Sequence, residues 1–167
     1  MLRTAISRGF PRLALFTSLC AAARPVHSQD LHLGAGYSSY DLSGTGSTWV
    51  LAAHYTHRLA GPLHAEIGAT IFHYDTQFSQ ATTYLFPEAS AVLKPTRGRV
   101  RPYLAAGAGV NVAFAGFGGG ELTLHGAGGL DVLMSARWGL RGEFRARAVD
   151  PFGAVTADLT LGPTVRL

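Results

Sequence analysis

The chain has 167 residues, 47% hydrophobic and 14% charged, with 21 glycines and one cysteine, Cys20. This length implies one domain, the composition excludes a disordered chain and a coiled coil, and one cysteine excludes a disulfide scaffold. The formal charge of +4 is local, because Arg3, Arg8, Arg12 and Arg24 precede every acid and the ten later bases match the ten acids; it gives no footing for nucleic-acid binding.

Residues 1–28 read as a cleaved export signal. Arg3, Arg8 and Arg12 supply a positive start and residues 13–23 (LALFTSLCAAA) an apolar run. Small residues follow, with cleavage expected after Ser28 rather than Ala23. The run is too short to span a bilayer, which takes about 20 residues. Leu19 before Cys20 does not suit lipidation of that cysteine, so no lipid anchor is expected. The expected mature domain is 29–167.

Beyond the leader, polar and apolar residues alternate with period two, the mark of a strand. The first segment, 31–40, has Leu31, Leu33, Ala35 and Tyr37 on one face. The second, 48–59, has Trp49, Leu51, Ala53 and Tyr55, and the third, 63–74, has Leu63, Ala65, Ile67 and Ile71. The fourth, 83–94, has Leu85, Pro87, Ala89 and Leu93, and the fifth, 100–114, has Val100, Pro102, Leu104 and Val110. The sixth, 121–134, has Leu122, Leu124, Leu130 and Val132. The seventh, 138–149, has Trp138, Leu140, Phe144 and Ala146, and the eighth, 154–167, has Val155, Leu159, Leu161 and Val165. Short Gly- and Pro-bearing stretches separate most of them, so neighbours are expected to be antiparallel. A longer polar loop is expected at 75–82.

The opposite face decides the setting. It carries His32, Gly34 and Ser38; His64, Glu66 and Thr70; Arg101, Tyr103 and Gly107; Thr123, His125 and Asp131; Arg141, Glu143, Arg145 and Arg147; and Thr156, Asp158 and Thr160. Glycine, alanine and serine suit a narrow lumen. Lysine is nearly absent, and segments near ten residues match tilted bilayer-crossing strands of about 9–11. An arginine facing lipid at the midplane costs about 2–4 kcal/mol, so the charged face belongs inside. The expected fold is all-β: an eight-stranded antiparallel up-and-down transmembrane β-barrel.

The eight-segment alternation, Phe86-Pro87-Glu88 followed by Arg101-Pro102-Tyr103-Leu104, and the stretch WGLRGEFR at 138–145 carry a resemblance. Over 31–167 the chain resembles the small outer-membrane β-barrel proteins of the OmpA/OmpX type. The resemblance implies a Gram-negative outer membrane, contact with its lipid and lipopolysaccharide, and insertion by the barrel-assembly machinery. It also implies a monomer with both termini in the periplasm, turns there at 60–62, 95–99 and 135–137, and outer loops at 41–47, 75–82, 115–121 and 150–153. Loops this short argue against a long-looped adhesin.

Eight residues form the candidate lumen charge network: Glu66, Glu88, Asp131, Arg141, Glu143, Arg145, Arg147 and Asp158. An eight-stranded barrel leaves an interior just wide enough for side chains, so they are expected to plug the lumen rather than line a pore. Trp49, Tyr55, Trp138 and Phe144 are expected to face lipid as interfacial anchors. His32, His54 and His64 are expected to be ordinary lumen residues, with no metal or cofactor. No catalytic residue is expected. An acyl-cleaving enzyme needs a serine, a histidine and a carboxylate within reach, and His125 and Ser135, ten residues apart on one strand, lie over about 30 Å apart. Two alternatives remain: a lipid A-modifying enzyme on the same scaffold, and a secreted lipocalin-like ligand-binding barrel.

Overall fold

The computed structural model describes residues 29–41, 45–76, 79–96, 98–114, 120–149 and 154–167. The expected leader, 1–28, and residues 42–44, 77–78, 115–119 and 150–153 of the expected outer loops lie outside the described residues. Eight strands follow one another: β1 (Gln29–Asp41), β2 (Thr45–Ala60), β3 (Leu63–Thr76), β4 (Ser79–Leu93), β5 (Val100–Ala113), β6 (Gly120–Leu133), β7 (Trp138–Val149) and β8 (Ala154–Arg166). Each pairs antiparallel with the next, and β8 pairs with β1, closing the barrel. Closure leaves no unpaired edge in a lipid phase that cannot hydrogen-bond one.

The ladder fixes the barrel's width. Residue pairs run from His32 through His54, Gly68, Glu88, Gly109, Thr123 and Val149 to Ala154. The β8 residue that His32 faces is Thr164, not Ala154, so one circuit displaces the register by 164 − 154 = 10 residues. With about 3.3 Å per residue and about 4.8 Å between strands, that stagger tilts the strands by about 41° and puts the backbone about 8 Å from the axis. Side chains from opposite walls therefore meet across the lumen.

Seven of the eight expected segments shift by a few residues at one or both ends, and 138–149 coincides with β7. The largest correction falls at 75–82, expected as a loop. There β3 runs to Thr76 and β4 begins at Ser79, with a register shift between Tyr74 and Thr76. Backbone pairing continues there although the apolar alternation has stopped. A strand that has left the lipid no longer needs an apolar face. At the other end Gly61 holds a positive φ of 54°, which its lack of a side chain permits in the tight turn between β2 and β3.

Burial is inverted relative to a water-soluble barrel. Along β7, Arg141, Arg145 and Arg147 are at most 2% exposed, whereas Trp138 and Phe144 on the outer face are more than half exposed. Leu104, Leu124, Leu159 and Leu161 are each at least 60% exposed. The wall is an apolar belt and the interior holds the charges, which is the arrangement of a transmembrane barrel. Trp49 is likewise more than half exposed, and Tyr55 is half-buried on the outer face.

Candidate functional site in the barrel lumen

Three arginines of β7 share one inward face because their spacing is even, and each grips carboxylates from other strands. Arg141 donates from Nη1 to Glu66 Oε2 at 2.7 Å, from Nε to the Tyr103 hydroxyl at 2.6 Å, and from Nη2 to Glu143 Oε2. Arg145 donates to three carboxylates at once: Glu143 Oε1 at 2.8 Å, Glu88 Oε2 at 2.6 Å and Glu66 Oε1 at 2.8 Å. Arg147 donates to Glu88 Oε1 at 2.5 and 2.8 Å, to Thr70 Oγ1 at 2.8 Å, and to Asp158. Thr56 donates to Glu66, Tyr103 to Glu143, and Ser38 to Asp158. The result is a column of alternating charge, Glu66–Arg141–Glu143–Arg145–Glu88–Arg147–Asp158. Charge-assisted, forked bonds offset the desolvation of groups taken out of water.

Asp131, expected in this network, stands opposite Arg141 in the β6–β7 ladder, but its ion pair is with Lys94 rather than with an arginine of β7. Its Oδ2 accepts from Lys94 Nζ at 2.8 Å, and Lys94 also reaches Asp30 at 3.3 Å. The chain's one lysine thus joins two acids near the termini, a role that sequence reading missed. Its even spacing from Glu88 and Ser90 was the available signal. Tyr103, read only as an inward residue, lies against the Arg141 guanidinium at 4.2 Å from the ring centroid.

Toward the end opposite the termini, the lumen turns apolar. Tyr40, Val50, Phe72, Phe86 and Val149 form a buried cluster. The Phe72 ring lies 5.8 Å from Tyr40, 5.5 Å from Phe86 and 5.7 Å from Tyr84. Arg147 sits 5.1 Å from the Phe86 ring centroid and joins the two layers. This aromatic layer was not anticipated. Its members keep inward spacing, but an apolar residue on a polar face carries no sign of its partners two or three strands away.

Glycines let side chains meet across an intervening strand. Gly107 stands between Ser90 and His125, Gly129 between Tyr103 and Glu143, and Gly68 between His54 and Glu88. A Cβ on Gly107 would come within 2.8 Å of His125 Nε2, and one on Gly129 within 2.5 Å of the Tyr103 hydroxyl.

Through the Gly107 gap, Ser90 Oγ lies 2.7 Å from His125 Nε2, and His125 Nδ1 lies 3.2 Å from Glu88 Oε2. A serine, a histidine and a carboxylate thus come together from β4 and β6, which spacing along one strand could not show. All three are more than nine-tenths buried, and Glu88 is already gripped by Arg145 and Arg147. A hollow of about 500 Å³, bordered by Leu31, Tyr55, Ile67 and Pro87, has His54 and Glu88 on its lining but neither Ser90 nor His125.

His32 and His54 stack with ring centroids 6.1 Å apart, and His64 stands away from them with Nδ1 at 3.1 Å from the Pro62 carbonyl. Potential ligand atoms of His54, Glu66 and Glu143 lie within 4.8 Å of one another. Both carboxylates are bound by Arg141 and Arg145, so a metal ion there would face two guanidinium groups. The donor set does not suit a cation.

No protein-family model matches the chain, and no curated protein matches it either. Solved structures do. The chain aligns with Neisserial surface protein A over 83% of its own length and 97% of that chain, at 18% identity and a TM-score of 0.71. Its fold is that of the small eight-stranded outer-membrane barrels. Ail, the attachment invasion locus protein of Yersinia pestis, aligns over 84% of this chain and 99% of its own, at 15% identity and a TM-score of 0.56. The outer membrane enzyme PagL aligns over 83% and 99%, at 13% identity and a TM-score of 0.52. Identities this low speak to the fold alone, which an outer membrane enzyme shares with a surface protein and an attachment invasion locus protein.

Proposed function

We propose that the protein is a non-enzymatic integral outer-membrane barrel, structural or small porin-like, with a lumen plugged by salt bridges. In this reading, residues 1–28 are a cleaved export signal and the termini face the periplasm. The barrel-assembly machinery inserts the monomeric domain among outer-membrane lipid and lipopolysaccharide. The observation that carries the reading is the column from Glu66 to Asp158, in which side chains with opposite charges fill an interior of about 8 Å radius. An open pore would leave those groups to water rather than to one another.

Two measurements test it. In SDS gels the membrane fraction should resist unfolding unboiled and shift its mobility on heating. In planar bilayers the folded protein should hold no steady open channel. A protein found in the soluble fraction with no heat shift would sink the membrane reading, and a steady conductance would sink the plug.

The second reading, an acyl-cleaving enzyme, has Ser90–His125–Glu88 in its favour. A nucleophile needs access and donors for the developing oxyanion, and Ser90 is enclosed by the lumen wall and the charge column. We expect no labelling of the folded protein by diisopropyl fluorophosphate. Stoichiometric labelling lost in Ser90→Ala would favour the enzyme instead.

A further inference from the structure

Among the described residues, five bases are buried in the lumen, and four of them hold carboxylates: Lys94, Arg141, Arg145 and Arg147. Arg101 is the exception. It is only 7% exposed, yet its Nε and Nη2 have no hydrogen-bond partner among the described residues. These two nitrogens share one edge of the guanidinium plane, the fork that takes two oxygens of a single oxyanion. Asp131 is the neighbour of Arg101 in the β5–β6 ladder, but its Oδ2 turns to Lys94 Nζ at 2.8 Å. A buried cation with no hydrogen-bonded counter-charge is costly, unlike one that is paired.

The groups around Arg101 form one level, at the end of the lumen that carries the termini. Lys94 bridges Asp131 and Asp30, and Asp30 stands opposite Arg166 in the β1–β8 ladder. Arg166 Nε lies 3.7 Å from Asp30, too far for a hydrogen bond. Across the lumen the order is therefore Arg101, Asp131, Lys94, Asp30, Arg166. Each acid keeps its Oδ1 buried and without a donor among the described residues. Tyr103 forms the floor, with its ring centroid 5.9 Å from Lys94 Nζ and 4.2 Å from the Arg141 guanidinium below. Further out stand Arg58, paired with buried His64, Arg99, two residues before Arg101, and Arg137, whose carbonyl accepts from the Arg166 amide. Six bases thus surround two acids.

We propose that this level is a binding site for a protonated phosphate group, with Arg101 as its anion-binding residue. The fork of Arg101 takes two phosphate oxygens, and Asp131 Oδ1 accepts from the phosphate O–H. A metal cation does not fit, because bases outnumber acids and Lys94 already lies between the two carboxylates. Sulfate and carboxylate ligands fit the fork alone. At neutral pH neither carries a proton for Asp131, whereas hydrogen phosphate does. Arg58, Arg99 and Arg137 at the mouth raise the local concentration of anions. The site needs the closed barrel, and its opening to the periplasm rests on the orientation proposed above.

The test is equilibrium dialysis of the heat-modifiable barrel, in dodecyl maltoside micelles, against radiolabelled orthophosphate. Saturable binding of one phosphate per chain is expected. Unlabelled sulfate should compete about tenfold more weakly or worse, since it leaves a buried carboxylate oxygen without its charged hydrogen bond. Unlabelled glycerol phosphate separates the two sources of the group. Competition equal to that of orthophosphate assigns the site to phosphomonoesters as well, and weaker competition assigns it to the free ion; both support the site. R101Q should lose about tenfold or more in affinity while keeping its heat-shifted mobility. D131N should bring phosphate and sulfate toward parity, because an amide can donate to either. The preference of the wild-type protein for phosphate needs no variant, so the test stays decisive if R101Q does not fold. A heat-modifiable barrel that binds no phosphate would overturn the proposal. Sulfate binding as tight as phosphate would do the same, leaving only a basic mouth, as would R101Q binding phosphate like wild type. A wild-type protein that forms no heat-modifiable barrel would instead overturn the transmembrane reading.

Discussion

Arg145 is the residue on which the lumen network can be tested most severely. Its three donors hold Glu66, Glu88 and Glu143, which belong to β3, β4 and β7. Arg145→Ala leaves those three carboxylates facing one another with only Arg141 and Arg147 to balance them. Removing one partner of a buried ion pair costs about 3–5 kcal/mol, because the remaining charge is left uncompensated. Arg145→Lys keeps the charge but loses the fork that reaches three acceptors, so about 1–3 kcal/mol is expected. The urea midpoint of the barrel in vesicles, followed by the fluorescence of Trp49 and Trp138, measures both. The alanine change also vacates about 80 Å³, room for two or three waters at about 30 Å³ each. Ion flow should nevertheless stay blocked, since the Tyr40–Phe72–Phe86 layer lies further along the same path. A loss under about 1 kcal/mol in Arg145→Ala, the range of an exposed ion pair, would refute the claim that these groups are desolvated partners. A steady conductance in the single variant would refute the claim that the aromatic layer is a second closure.

The other predictions follow from the same geometry. Phe72→Ala combined with Arg145→Ala should open a cation-selective conductance in planar bilayers, because both closures are breached and the excess lumen charge is negative; anion selectivity would contradict the charge count. Gly129→Ala should lower the temperature of the gel-mobility shift, because its Cβ would press on the Gly142 backbone carbonyl and the Tyr103 hydroxyl, whereas Gly126→Ala on the outer face of the same strand meets nothing within 4 Å and should change stability by no more than about 0.5 kcal/mol. Equal effects of the two would show that inward and outward positions on β6 are wrongly assigned. Leu159→Arg, at an outward position in the middle of β8 that is 64% exposed, should cost about 2–4 kcal/mol in a bilayer. The same change on a soluble barrel would be nearly neutral, so a neutral result would return the protein to water.

Much of the fold was legible because one strong regularity carries it. A period of two places Arg141, Glu143, Arg145 and Arg147 on one face and Leu140, Phe144 and Ala146 on the other, whatever lies next to them. Seven network members fell into the expected column on that ground alone. Partnership was not legible, because it depends on stagger. Arg145 and Glu66 are 79 residues apart, and only a closed ladder displaced by ten residues brings them together. The same limit hid Ser90 beside His125, 35 residues apart, with a glycine between them whose meaning appears only when three strands are laid side by side. Asp131 has the inward parity and stands opposite Arg141 in the β6–β7 ladder, but its carboxylate bonds Lys94, a partner the spacing did not show.

The stagger also explains why a barrel in lipid would carry charge inside at all. A lumen filled with leucine would make the two faces of each strand chemically alike, and a slip of one residue, which turns every side chain to the other face, would cost little. With Arg141, Arg145 and Arg147 on one face of β7, that slip carries three guanidinium groups into hydrocarbon at about 2–4 kcal/mol each when deep, roughly 6–12 kcal/mol for the strand. It also strands Glu66, Glu88 and Asp158 without partners in the lumen. A buried ion pair is weak evidence of net stability, but against that alternative its contribution is large and one-sided. The inner glycines serve the same selection, since Gly107 and Gly129 admit side chains from both neighbouring strands only in the native register. The charge column is thus a device that fixes register first, and the proposed closure of the lumen would be a consequence of filling it.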